Sequence, residues 1–167
     1  MKKITLIAIA FLMYSFAASA QTAAKVVYAE IGGPGLASIN YDMRLQKKND
    51  GLGIRVGVGG FSLSFNDGYG DYKSSIFLLP VGLNYLLGKD DKHFFELGAG
   101  FTYLKINNKD VSNNNSDPFS SSFGHLNLGY RLQPKDGGFV FRAGIVPVFG
   151  KGFFYPWFAG VSFGYKF

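Results

Sequence analysis

A serine, a histidine and a carboxylate, at Ser162, His125 and Glu96, are the residues of this chain best suited to hydrolytic chemistry. A nucleophile, a base and an orienting acid within hydrogen-bond reach of one another would support acyl transfer. All three fall on small or polar rows of alternating segments, which is also where an ordinary polar interior places such residues. The favoured reading of His125 is a hydrogen-bonded interior residue beside Asn127. A metal site usually takes three or four ligands, and the chain has two histidines, His93 and His125, and no cysteine. His93 follows the turn Lys89-Asp90-Asp91-Lys92 and reads as solvated. Asp67, Asp71, Asp110 and Asp117 lie in two polar stretches, 62–72 and 107–118, whose spacing matches no EF-hand loop, so they read as solvated loop charge. Gly57, Gly59 and Gly60 precede no helical pattern and no Walker-type lysine, which leaves them without a phosphate to cradle. The expectation is therefore no enzyme, no cofactor and no metal.

A different set of charges says more. Glu30, Asp42, Arg44, Arg55, Glu96, Arg131 and Arg142 each sit on the small or polar face of a period-two segment. Both signs are present on that face. An ion removed from water is expensive unless paired, so Glu30 and Glu96 are predicted to lie within reach of Arg55 or Arg142.

The elements that must hold these residues are strands. Phe95, Leu97, Ala99, Phe101 and Tyr103 alternate with Glu96, Gly98, Gly100 and Thr102, and Ala159, Val161, Phe163, Tyr165 and Phe167 alternate with Gly160, Ser162, Gly164 and Lys166. The same period recurs to give eight segments, near 25–33, 36–46, 51–61, 74–87, 93–105, 119–132, 138–149 and 156–167. Three connections, 47–50, 88–92 and 134–137, are short and rich in Gly, Asn and Asp, as tight hairpins require. The stretches 62–72 and 107–118 are expected to be long polar loops at the opposite end.

The first twenty residues stand apart. Lys2 and Lys3 precede an apolar run, and Ala18-Ser19-Ala20 before Gln21 gives a small-x-small cleavage pattern. Residues 1–20 are read as a signal peptide cleaved between Ala20 and Gln21, and 21–167 as one barrel domain. Removing the two lysines takes the formal charge from +6 to +4.

Composition decides which face points inward. Charged residues make up 17% of the chain, with 23 Gly, 18 Phe and 10 Tyr among 167 residues, whereas an ordinary soluble domain carries about 25% charge. An apolar interior would crowd a small barrel with Phe, Tyr and Leu. Glycine and small polar residues inside leave room for a few long charged side chains, and the aromatics then face lipid. Unpaired backbone groups are costly in hydrocarbon, so a chain without a spanning helix must close its sheet. The predicted fold is all-β: an eight-stranded antiparallel up-and-down transmembrane β-barrel after a cleaved signal peptide. Its narrow bore should be blocked by paired side chains.

The terminal run Phe163-Gly164-Tyr165-Lys166-Phe167 carries a resemblance. It is similar to the C-terminal signal of small eight-stranded outer-membrane β-barrel proteins of Gram-negative bacteria, of the OmpX-like or OmpA-transmembrane-domain type. The resemblance implies that Phe163, Tyr165 and Phe167 are recognised by the barrel assembly machinery. It also implies periplasmic termini, short periplasmic turns, longer external loops and residence in outer-membrane lipid. The expected role is structural or interactive, carried by the external loops of a monomer. Two alternatives remain: a barrel enzyme acting on lipid or lipopolysaccharide through Ser162, His125 and Glu96, and a secreted soluble barrel that carries a ligand. Nucleic acid is not an expected partner, because the basic residues are scattered rather than clustered.

Overall fold

The computed structural model describes residues 23–66, 71–110 and 115–167, without the side chains of 65, 66, 71, 72, 109, 110 and 115–117. The expected cleavage junction at Ala20 and Gln21 and the side chains of Asp67, Asp71, Asp110 and Asp117 lie outside the described residues. Ten strands are present among them: β1 Lys25–Gly32, β2 Ala37–Arg44, β3 Gly51–Asn66, β4 Asp71–Leu87, β5 His93–Asp110, β6 Asn115–Leu132, β7 Gly138–Ile145, β8 Val148–Gly150, β9 Phe153–Tyr155 and β10 Ala159–Lys166.

Eight of these close a ring. Each of β1 to β7 pairs with its sequence neighbour, and β10 joins β7 to β1, every pair antiparallel. Closure leaves no free edge in the ring and satisfies the ladder groups internally. The short strands β8 and β9 form a hairpin that pairs with β6 at Gly124 and His125. The fold is thus an all-β, closed, eight-stranded antiparallel barrel.

The side-chain period of two sorts the rows as composition predicted. Glu30, Asn40, Asp42, Arg55, Asn84, Glu96, Arg131 and Arg142 are buried inside. Ile31, Ile39, Leu83, Phe101, Phe163 and Tyr165 are exposed on the outer wall. Tyr28 departs from the aromatic-outward rule: it shares the inward row of Glu30 and packs with Val26 and Val140.

Three segments differ from the sequence-based expectation. The stretches 62–72 and 107–118 are not long loops. β3 and β4 stay paired to Asn66 and Asp71, and β5 and β6 to Asp110 and Asn115. Hydroxyl contacts support these outer rungs: the Ser62 and Ser75 Oγ atoms lie 2.9 Å apart, and Ser74 Oγ donates to Asn108 Oδ1 at 2.9 Å. In β4, β5 and β6 polar residues on both faces hide the alternation, which Leu63 and Phe65 keep in β3, while the backbone ladder stays intact. The expected strand 138–149 breaks at Pro147, which has no N–H to give a ladder. Its carbonyl accepts from Leu126 N at 2.9 Å, and the chain resumes as β8.

The rim is therefore uneven. β3 to β6 run 16 to 18 residues, whereas β1, β2, β7 and β10 run 8. Between β1 and β2 the chain does not loop outward. The 3-10 turn Gly33–Gly35 is buried and leads into Leu36, held at φ 58 and ψ −76. That γ-turn conformation is rare and strained for a branched side chain.

Candidate functional site

Inward-facing charges from six strands meet in the bore. Arg44 Nη2 donates to Asp42 Oδ1 at 2.6 Å, both from β2. Arg131 of β6 donates to the same oxygen at 3.1 Å and to Glu96 Oε2 of β5 at 3.5 Å. Arg142 of β7 grips Glu96 with two donors, Nη2 to Oε1 at 2.5 Å and Nε to Oε2 at 2.9 Å. Its remaining Nη1 lies 3.6 Å from Glu30 Oε1 of β1. Glu30 then pairs with Arg55 of β3. The seven residues singled out by sequence form one connected series in which four arginines alternate with three carboxylates. Glu30 with Arg55 and Glu96 with Arg142 are the contacts that parity and the cost of buried charge anticipate.

Neutral groups hold the series in place. The Asn84 amide donates to Asp42 and, at 3.5 Å, to Glu96, while its oxygen accepts from Arg44. Asn40 accepts from Arg55 Nε at 3.1 Å and donates to Ser38 Oγ at 2.9 Å. The Arg142 guanidinium stands 4.4 Å from the Tyr28 ring centre, with Arg55 at 5.7 Å. Gly53 permits the closest of these fits. A Cβ there would collide with the Arg44 guanidinium, which cannot withdraw without leaving Asp42, Asn84 and the Gly51 carbonyl it meets at 2.8 Å.

These groups fill the bore at their level. The void left among Glu30, Glu96, Asn127, Arg142 and Ser162 measures about 20 Å³, room for about one water.

The possible hydrolytic trio is not assembled. Ser162 Oγ donates to Glu30 Oε1 and accepts from Arg142 Nη1, each at 3.4 Å. His125 Nδ1 instead faces Thr102 Oγ1 at 3.4 Å. Among the described residues no hydrogen bond links Ser162, His125 and Glu96 to one another.

At the short-turn end a second cluster caps the barrel. Asn49 Nδ2 donates to the Asp91 carbonyl at 2.8 Å and to the Gln133 carbonyl at 3.2 Å. Gln133 Nε2 returns to Asn49 Oδ1 at 2.8 Å, and Lys166 Nζ reaches that oxygen at 2.7 Å. Three turns and the last strand thus share one asparagine. Nearby, Asp90 accepts from the backbone N–H of His93 at 2.8 Å and of Lys92 at 3.2 Å, which lowers its carboxyl below the ordinary range. His93 is more than a solvated ring, because its Nδ1 lies 2.5 Å from the Tyr130 hydroxyl.

Sequence reasoning placed the charged rows but missed Tyr28 and Asn49. Tyr28 had a usable signal, its parity with Glu30. Asn49 had none beyond its turn position, because its role depends on turns brought together by the closed ring. Phe163 and Tyr165 lie on the outer wall of β10, where Phe163 packs 5.5 Å from Phe141, and Phe167 follows them, exposed at the chain end.

No family model matches the chain, and no curated protein matches it. Solved structures do. The N-terminal β-barrel domain of Pseudomonas aeruginosa OprF superposes with a TM-score of 0.60 at 13% identity, covering 88% of this chain and 98% of that one. Ail, the attachment invasion locus protein of Yersinia pestis, superposes less closely. Its complex with the heparin analogue sucrose octasulfate gives a TM-score of 0.48 at 13% identity over 86% of this chain and 94% of that one. A second Ail structure gives 0.47 at 12% over 86% and 93%. Closed ring, polar plugged bore and apolar wall together give this chain the fold of the small eight-stranded outer-membrane β-barrels.

Proposed function

We infer that the protein is an integral outer-membrane barrel with a structural or interaction role, closed to ion flow, whose tall β3–β6 hairpins form its recognition surface. The observation that carries this reading is the inversion of polarity. Arg44, Arg131 and Asp42 are at most 1% exposed within the bore, while Ile31, Phe101 and Tyr165 are 57 to 73% exposed outside. A lipid environment accepts that wall, and a soluble ligand carrier would present it to water.

Strand dimensions agree. Tyr103 stands ten residues above His93 on β5, about 33 Å of strand, or about 25 Å along the membrane normal at the usual tilt. That span matches the apolar band of such barrels, with Tyr130 and Tyr165 near one boundary and Tyr103 and Trp157 near the other. The part of β5 beyond Tyr103 then projects on the external side. Phe163, Tyr165 and Phe167 form the strand offered to the barrel assembly machinery, and the barrel works as a monomer without a catalytic role. The separate partners of Ser162, His125 and Glu96 support the last point.

Fractionation tests the reading. The protein should partition with outer membranes, require detergent for extraction and migrate heat-modifiably on a gel. Reconstituted in a planar bilayer, it should give no sustained channel currents. Recovery in a soluble fraction without detergent would sink the membrane assignment.

A further inference from the structure

Above the ionic plug the bore changes character. A cavity of about 290 Å³ opens there, lined only by glycine and apolar side chains, chiefly Leu36, Leu78, Leu104, Ile106, Phe123 and Phe153. The inward rows of β4 and β5, polar at Asn84 and Glu96 below, become apolar: Ile76 pairs with Ile106 and Leu78 with Leu104 across the strands. The outward rows at this height are apolar too, at Phe77, Leu79 and Tyr103. The sheet therefore shows grease on both faces, and the inner face has no lumen charge beside it.

We propose that this cup binds the acyl chain of a lipid from the surrounding membrane leaflet, entering over the low side of the rim. The proposal rests on the outer-membrane reading above. Apolar cavities of about half this size, roughly 150 Å³, stay dry and take hydrocarbon guests, and about 300 Å³ is the lower end of ordinary ligand sites.

Three observations fix the occupant. First, the plug beneath leaves space for about one water, so the cup is not filled from the turn end. Second, the β8–β9 hairpin joins the cup to the lipid wall. Phe153 lines the cavity, while Phe154, Tyr155 and Trp157 are exposed, Trp157 at 82%. An apolar surface thus continues from the outer wall into the cup beside the eight-residue strands, where the rim is lowest. Third, the strained turn places Leu36 on the cup floor rather than a glycine that its φ of 58 favours. Strain is kept where it supplies an apolar lining.

The test uses the full-length protein in phospholipid nanodiscs that contain a phosphatidylcholine with a diazirine on its acyl chain. After illumination, adducts are mapped by peptide mass spectrometry. Expected are adducts at inward Leu78, Leu104 and Ile106 as well as at outward Leu79 and Leu83. In a Leu104→Trp variant, which fills the cup, the inward adducts should fall at least tenfold relative to the outward ones. Outward adducts alone overturn the proposal and leave the membrane reading standing. Absence of outward adducts overturns both. A parallel arm uses a diazirine fatty acid, and inward labelling by it but not by the phospholipid overturns the lipid as source.

Discussion

Arg142 holds Glu96 with two hydrogen bonds while its guanidinium stands 4.4 Å from the centre of the Tyr28 ring. The Tyr28 hydroxyl has no hydrogen-bond partner among the described residues. The ring face, not the phenol, is what this residue contributes. Tyr28→Phe should leave unfolding resistance unchanged or slightly raised. Tyr28→Leu should lose about 2 kcal/mol, the scale of a desolvated cation–π contact. Urea titration of the detergent-folded barrel, read as heat-modifiable gel migration, separates the two. Equal losses in both variants would return the role to the hydroxyl.

Glu96 is shared by Arg131 and Arg142, so its removal leaves two buried cations short of a partner. Glu96→Ala should destabilise by about 3–5 kcal/mol. Adding Arg142→Met should recover part of that loss, because one of the stranded charges leaves with it. A double variant as weak as the sum of the two single ones would argue that the pair is not coupled.

Asn49 joins three turns and the last strand through its single side chain. Asn49→Ala should cost about 1–3 kcal/mol, since Lys166 and Gln133 lose a partner in a part-buried setting. Hydrogen exchange should rise at residues 46–50, 88–92 and 133–137 and leave the mid-barrel strands protected. Bilayer currents should remain absent, because the ionic plug lies above this collar.

Asp90 gives a pH signature. Its carboxylate accepts from the His93 and Lys92 N–H groups, so its folded pKa lies below the unfolded value. The stability it contributes is present above the unfolded value and lost as pH falls through the folded one. In an NMR titration of the folded barrel, the Asp90 carboxyl should have its midpoint below the 3.8 of an ordinary aspartate. Asp90→Asn should remove that transition from the titration of the 88–92 turn.

The barrel was readable from the sequence because one period governs it. Leu52, Ile54, Val56 and Val58 against Gly53, Arg55 and Gly57 fix both the strand and the inward face of Arg55. Height along the bore is another matter. Asp42 and Arg131 are 89 residues apart and meet across the lumen, and parity carries no information on which inward charges share a level. The tall hairpins were obscured because consecutive polar residues such as Ser74 and Ser75, or Asn107 and Asn108, make both faces polar. Pro147 offered a usable sign of the break between β7 and β8, since it cannot donate to a ladder. Asn49 reads as a turn former, whereas its work is done by the side chain. The apolar cup needed the inward rows of β4 and β5 followed past the plug, where Leu78 and Leu104 replace the polar residues below.

The alternating series from Arg44 to Arg55 also bears on how the barrel is built. Its members come from β1, β2, β3, β5, β6 and β7, and although Asp42 meets Arg44 within β2 and Glu96 meets Arg131 within the β5–β6 hairpin, Glu30, Arg55 and Arg142 find their partners only on strands that are not neighbours. A strand slipped by one residue would turn an arginine or a carboxylate toward hydrocarbon and leave its counterpart unmatched inside. Mispaired intermediates are thereby penalised twice, and only the ring in correct register discharges both penalties. The plug is a checksum on assembly as well as a seal.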